Sequence, residues 1–162
     1  MEYIVDMQGF KQPVNDFILK ELAIVPLYSD KEPLVVMFEP PFSWQRLSEK
    51  YKRENVWLEH CFHGIPWNAG SFPYNTVGTI LREQLHDAKK VHVFGSLRKQ
   101  WLERFKFKIY DITDFGYPPI DKIKLATVCT NHNGSHKVNC ALHNVRLYKQ
   151  FLLDLPETMD WS

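Results

Sequence analysis

The sequence predicts an α/β fold, built as a mixed five-stranded sheet with an antiparallel N-terminal meander and flanking helices. Three observations carry this expectation. Three apolar runs follow one another within the first 39 residues, separated only by turn residues. After residue 76, helical periodicities alternate with short apolar runs. The chain then closes on an amphipathic run from Ala141 to Leu152 whose apolar positions recur at helical spacing. A length of 162 residues with 44% hydrophobic and 14% aromatic side chains is enough for one domain with a sizeable core. That domain is expected over residues 1–155, with 156–162 as a tail.

The first strand is expected over residues 3–10 and the second over 17–25, with Pro13 and Asn15-Asp16 in the hairpin turn. A third strand, 34–39, stops at Pro40-Pro41. Within the second strand Glu21 stands out, because an acid in an apolar run is costly unless it is paired or bound to a metal. Strand alternation offers a plainer reading, in which one of Lys20 and Glu21 faces solvent. Residues 44–51 read as a short helix capped by Ser43, and 54–60 as a second one. The aromatic stretch 61–70, punctuated by Gly64, Pro66 and Gly70, is a loop in which Cys61 and His63 are taken as packing residues. A helix over 77–86 is capped by Asn75 or Thr76. A buried-type strand at 90–95 leads directly into an amphipathic helix at 96–105, and a further short strand lies at 109–112.

Composition narrows the class. No stretch is long and apolar enough for a membrane span, and the N-terminus lacks the basic and apolar regions of a secretion signal. A soluble, cytoplasmic protein is therefore expected, with a nuclear or perinuclear location as the alternative. Three cysteines fit a reducing compartment better than a disulfide framework, and the Asn133-Gly134-Ser135 sequon is discounted accordingly. The net charge of +1 is unevenly spread: residues 82–149 hold 13 Lys/Arg against 6 Asp/Glu, and the rest of the chain holds 7 against 13. A basic segment interleaved with Trp101, Phe105, Phe107, Tyr110 and Tyr148 suits phosphates and unstacked bases, although many such lysines merely solvate helix faces.

The densest chemistry lies between residues 129 and 142. Cys129 and His132 form Cys-x2-His, and Cys140 follows after seven more residues at the start of the last helical run. Thiolate and imidazole at this spacing suit tetrahedral zinc, and a helix N-terminus favours a thiolate. His136 or a donor from elsewhere would complete four ligands. The competing reading is of buried cysteines acting as small hydrophobes.

The order of elements is that of an RNase H-like fold. Val5-Asp6-Met7-Gln8-Gly9 resembles the first motif of DEDD exonucleases, Asp-x-Glu followed by Gly, and Ala141-Leu142-His143-Asn144-Val145 resembles their last, Ala-Leu-Asp-Asp-Ala. Gln8 and His143-Asn144 replace the family's acids, and Lys99 lies near where another acid is expected. Asp6 alone cannot hold the two divalent ions that such hydrolysis requires. The chain is similar, further, to the Maelstrom domain, a branch of this superfamily from small-RNA silencing of transposons. Its Glu-Cys-His-Cys motif is matched in order by Glu21, Cys129, His132 and Cys140. No HMG-box precedes the domain in this sequence, so the chromatin roles tied to that module are not expected.

The resemblance implies a structural zinc ion on those four residues and a protein that binds single-stranded RNA in piRNA-type silencing or its antagonism, with silencing-pathway proteins as partners and no membrane association. Arg98, Lys99, Arg104 and Lys137 are the expected phosphate contacts, with Trp101 or Phe107 as a stacking surface if exposed and core packing preferred for Trp101. Two alternatives accompany this reading. One is metal-independent, single-strand-specific endoribonuclease activity, for which His92, His136 or Lys99 would supply acid-base groups. The other is a structural protein-interaction domain.

Overall fold

The computed structural model describes residues 1–13, 16–117 and 139–156. Its five strands are β1 (Glu2–Gln12), β2 (Asp16–Pro26), β3 (Leu34–Met37), β4 (Lys90–Val93) and β5 (Ile109–Asp111). They form one mixed sheet in the order β3-β2-β1-β4-β5. The first three strands pair antiparallel, and β1, β4 and β5 pair parallel. The helices are α1 (Glu49–Trp57), α2 (Val77–Gln84), α3 (Ser96–Glu103) and α4 (Ala141–Leu153). Among the described residues no helix is long and apolar enough to cross a membrane.

Residues 4 to 10 of β1 are all buried, because the strand lies at the centre of the sheet with a helical layer on each face. Val5 and Met7 pack on one face with Leu81 of α2 and Trp101 and Leu102 of α3. Ile4 packs on the other with Ala141, Val145, Tyr148 and Leu152 of α4, an i, i+4, i+7, i+11 stripe. Trp101 is thus a core residue, as its spacing predicts. A third cluster joins Phe10 and Ile18 at the hairpin end to Leu47 and Trp67.

The β1/β2 pairing slips between Gln8 and Gly9. Gln8 lies opposite Glu21 while Gly9 lies opposite Leu19, so Lys20 is an extra residue on β2. Such a bulge breaks the alternation that would send one of two neighbours to solvent. Both Lys20 and Glu21 are fully buried, which corrects the solvent-facing reading. Gly9 is required here, since a Cβ would stand 1.9 Å from the Ile18 carbonyl oxygen.

Other boundaries also differ from the sequence reading. Ser43 caps a single 3-10 turn, Trp44–Arg46, and Ser48 caps α1 through a bond from the Tyr51 amide. Helix α1 does not break before residue 54 but runs on into a π-helical turn, Leu58–His63, ended by Gly64 at φ 69°. His63 packs as expected, edge-on to Phe10, with Nε2 2.8 Å from the Gly9 carbonyl oxygen, whereas Cys61 is exposed and is not a packing residue. The helix after β4 ends at Glu103, and Lys106 adopts a positive φ of 65°.

Lys20 ties the bulge to the chain that follows the π turn. Its ammonium donates to the Trp67 carbonyl oxygen at 2.8 Å and to that of Ala69. Burial lowers its pKa to about 8, against a smaller upward pull from Glu39. A neutral amine retains two N–H donors, enough for both carbonyls. Between about pH 8 and 10.5 the unfolded chain therefore holds a proton that the folded chain does not, so stability should rise with pH across this window. Urea melts at several pH values should show that rise in the wild type and a weaker one in Lys20→Met.

Candidate functional site

Strand β1 runs on past its last partner in β4, and its next residues face a polar crevice that α3 and α4 close over, so that their side chains are buried. Pairing with β4 runs from Glu2/Lys90 to Ile4/His92. The next residue but one, Asp6, is 1% exposed. Its Oδ2 accepts from the side-chain amides of Gln8 at 3.1 Å and Asn144 at 3.0 Å. On the other side Arg98 Nε lies 3.4 Å from Oδ1 and donates to the Met7 carbonyl oxygen at 2.9 Å. Burial pushes the Asp6 carboxyl up, while Arg98 and then the two amides oppose the shift. Asp6 in turn raises the phenols of Tyr117, to about 12, and Tyr148, in both cases behind the larger effect of burial.

Arg98 stands in the first turn of α3, which the chain enters through Gly95 at φ 90°. The Gly95 amide is fixed by Asp111 Oδ1 at 2.9 Å, and the same oxygen accepts from Thr113 at 3.0 Å. Asp111 is thereby committed to joining the ends of β4 and β5.

Outside the crevice, Arg98 lines a groove of about 620 Å³ between α1, α3 and the β1/β2 hairpin. Its cationic wall is Lys11, Lys50, Arg98 and Arg104, its acids are Asp16 and Glu54, and its rings are Phe17, Tyr51 and Trp101. Arg104 pairs with Asp16 at 3.0 Å and lies 5.0 Å from the Trp101 ring centre. Lys50 lies 5.5 Å from the Tyr51 ring centre. Among the described residues neither Lys11 nor Lys50 meets a carboxylate. Buried Asn55 fixes the end of β1 to α1 by accepting from the Lys11 amide at 2.8 Å and donating to its carbonyl at 2.9 Å.

A second polar centre sits at the N-terminus of α4. Cys140 occupies the N-cap position and is fully buried, and Glu21 Oε1 accepts from the Ala141 amide at 2.8 Å. A buried carboxylate on a helix N-terminus is electrostatically favourable in its own right. His143, one turn on, is also buried, which lowers its pKa, with the neighbouring Cys140 opposing that shift.

Of the expected zinc ligands, then, the fold brings Glu21 and Cys140 to one place. Cys129 and His132, the reserve ligand His136, and the phosphate contact Lys137 lie outside the described residues. Among the described residues no group of three or more His, Cys, Asp or Glu is gathered for a metal. The fit to zinc rests on a buried carboxylate and a buried cysteine at a helix start, a donor pair zinc accepts. Of the expected phosphate contacts, Arg98 and Arg104 line the groove, while half-buried Lys99 is not among its lining residues. Phe107 packs partly buried against the core. His92 is buried, with Nε2 3.1 Å from Glu2 Oε1, and is not among the residues lining the groove.

Sequence reasoning missed Lys11, Phe17, Lys50 and Tyr51, which gather only through the α1 to hairpin contact. It also missed the bond from Asn144 to Asp6, although both stood in the motifs singled out. Comparison with protein-family models and with curated protein sequences finds no match.

The Asp6 centre makes a direct prediction. Asn144→Asp would replace an amide donor 3.0 Å from Asp6 Oδ2 by a second carboxylate. Two acids so close cannot both ionise cheaply, and the folded pair would bind a proton that the unfolded chain releases. The variant should lose ~2–4 kcal/mol at pH 7. The loss should shrink on acidification toward pH 5, as urea melts at the two pH values will measure.

Proposed function

We propose that the chain is a zinc-stabilised, RNase H-like domain of the Maelstrom type that binds single-stranded RNA in the groove between α1 and α3, within small-RNA silencing or its antagonism. The observation that carries this reading is the groove itself. Lys11 and Lys50, two cations without a carboxylate partner among the described residues, stand beside the partly exposed rings of Tyr51 and Phe17. Cationic groups for phosphates and flat rings for bases are what a single strand needs. The strand order β3-β2-β1-β4-β5 and the Asp-x-Gln-Gly motif on β1 support the fold assignment. The crevice beside the groove holds Gln8 and Asn144 on Asp6 in place of further acids, which supports a binding role over metal-dependent hydrolysis.

The RNA reading is tested at residues that bear no structural load. Lys11→Gln with Lys50→Gln should weaken binding of a single-stranded oligoribonucleotide and lower the salt slope by about 1.4, at roughly 0.7 per lost phosphate contact. Unchanged affinity and slope in the folded double variant would remove the groove as the RNA site. Arg98→Glu is a poor probe, because it would set a carboxylate against Asp6 in the crevice.

The zinc reading assigns Glu21, Cys129, His132 and Cys140 as ligands. Metal analysis of the purified protein should give one zinc per chain, and Cys140→Ser should lose it together with folding stability. Glu21→Gln separates the two roles of that residue, since it keeps an oxygen for the Ala141 amide but weakens the ligand. Weakened zinc binding with a corresponding fall in stability is the expected outcome, and full zinc retention would return Glu21 to helix capping alone.

A further inference from the structure

We infer that Arg98 is a built-in cation, its guanidinium closing a pocket of oxygen donors that would otherwise accept a divalent metal ion. The pocket is organised around Asp6 Oδ1, a buried carboxylate oxygen that neither amide reaches, with Arg98 Nε at 3.4 Å as its counter-charge. The side-chain amides of Gln8 and Asn144 and the carbonyl of Met7 complete the surroundings. A carboxylate, two amides and a peptide carbonyl are hard donors of the kind that Mg2+, Ca2+ and Mn2+ take.

The amides at present serve the carboxylate and not a metal. Both turn their NH2 groups to Asp6 Oδ2, as donors to an anion. Turned over, each would present its oxygen instead. A buried carboxylate needs a positive charge or a proton, and Arg98 supplies the charge from within the chain while also taking the Met7 carbonyl. The cation is covalently attached, so it is present at every metal concentration. Because Arg98 lines the groove as well, the same side chain forms the wall between groove and crevice. Any ligand in the groove therefore meets a guanidinium where a bound metal would otherwise face it. This inference stands on the crevice geometry alone and holds whether or not the groove binds RNA.

The test is a Mn2+ titration, followed by the electron paramagnetic resonance of the free ion, on wild type, Asp6→Asn, Arg98→Ala and the double variant. Wild type and Asp6→Asn should bind Mn2+ alike. Arg98→Ala should bind one further equivalent, at least tenfold tighter than any site wild type offers, and the double variant should lose it. A folded Arg98→Ala protein that takes up no additional Mn2+ would overturn the inference, as would a wild-type site that Asp6→Asn removes. Should Arg98→Ala fail to fold alone, millimolar Mn2+ should restore its folded signal where Na+ at matched ionic strength does not, with methylguanidinium run alongside. Restoration by Mn2+ supports the inference; restoration by methylguanidinium alone, or by neither, overturns it.

Discussion

The bulge between β1 and β2 is the constraint on which most of the polar architecture depends. One extra residue on β2, opposite the Gln8/Gly9 step, releases Lys20 from the alternation of the strand and lets two neighbouring charged side chains both be buried. Lys20 reaches the carbonyls of Trp67 and Ala69, while Glu21 reaches the first amide of α4. The close approach that makes this possible needs a residue without a side chain, and Gly9 provides it. His63 then closes the arrangement by bonding the Gly9 carbonyl from the end of the π turn. A local irregularity in one strand pair thus fixes a loop on one side and a helix on the other.

Charge burial is handled in the same manner throughout, by giving each buried ion a partner from a distant part of the chain. Asp6 is met by residues 98 and 144, Glu21 by the amide of 141, and Lys20 by carbonyls near 68. Removing one partner leaves an uncompensated ion, which costs more than the pair itself contributes. These contacts therefore specify how the layers dock even where their net stabilisation is modest, and they explain why so many polar residues sit within the sheet's central strands. The apolar clusters supply the driving force on both faces, and the buried ions select one register of docking from among those that oil alone would allow.

What the sequence made legible follows the same division. All five strands and their order along the chain could be read, because apolar runs and turn residues are local signals. So could Trp101 as core, from its spacing on α3. The burial of Lys20 could not, since a bulge is a property of the pairing between two strands and leaves no mark on β2 by itself. The continuity of α1 through residues 58–63 was hidden for a related reason. The sequence reads as two helices, 44–51 and 54–60, because Asn55 and Glu59 show no partner locally, yet Asn55 is buried against the end of β1 and Glu59 Oε1 accepts from the Trp67 amide. At the candidate site, Asp6, Gln8 and Asn144 were visible as motif positions, whereas their mutual bonding and the insertion of Arg98 depend on how α3 and α4 dock. The groove was the least legible feature, because its lysines and rings come from four elements.

The docking of α4 joins the two polar centres. Its first turn is held by Glu21 at the Ala141 amide, and its second by Asp6 through Asn144. Beyond these, Tyr148 and Leu152 continue the contact with apolar surface. Gln8 and Glu21 are partners across β1 and β2, so the carboxylates of Asp6 and Glu21 stand on neighbouring strands and each meets the start of α4. The helix is therefore registered against the sheet by a polar pair as well as by its apolar stripe. In the zinc reading, a metal on Glu21 and Cys140 would tighten only the first of these attachments. The second needs no metal, because the guanidinium of Arg98 already balances the charge on Asp6. The charge on Asp6 is thus balanced without the helix start, by a side chain that also lines the groove.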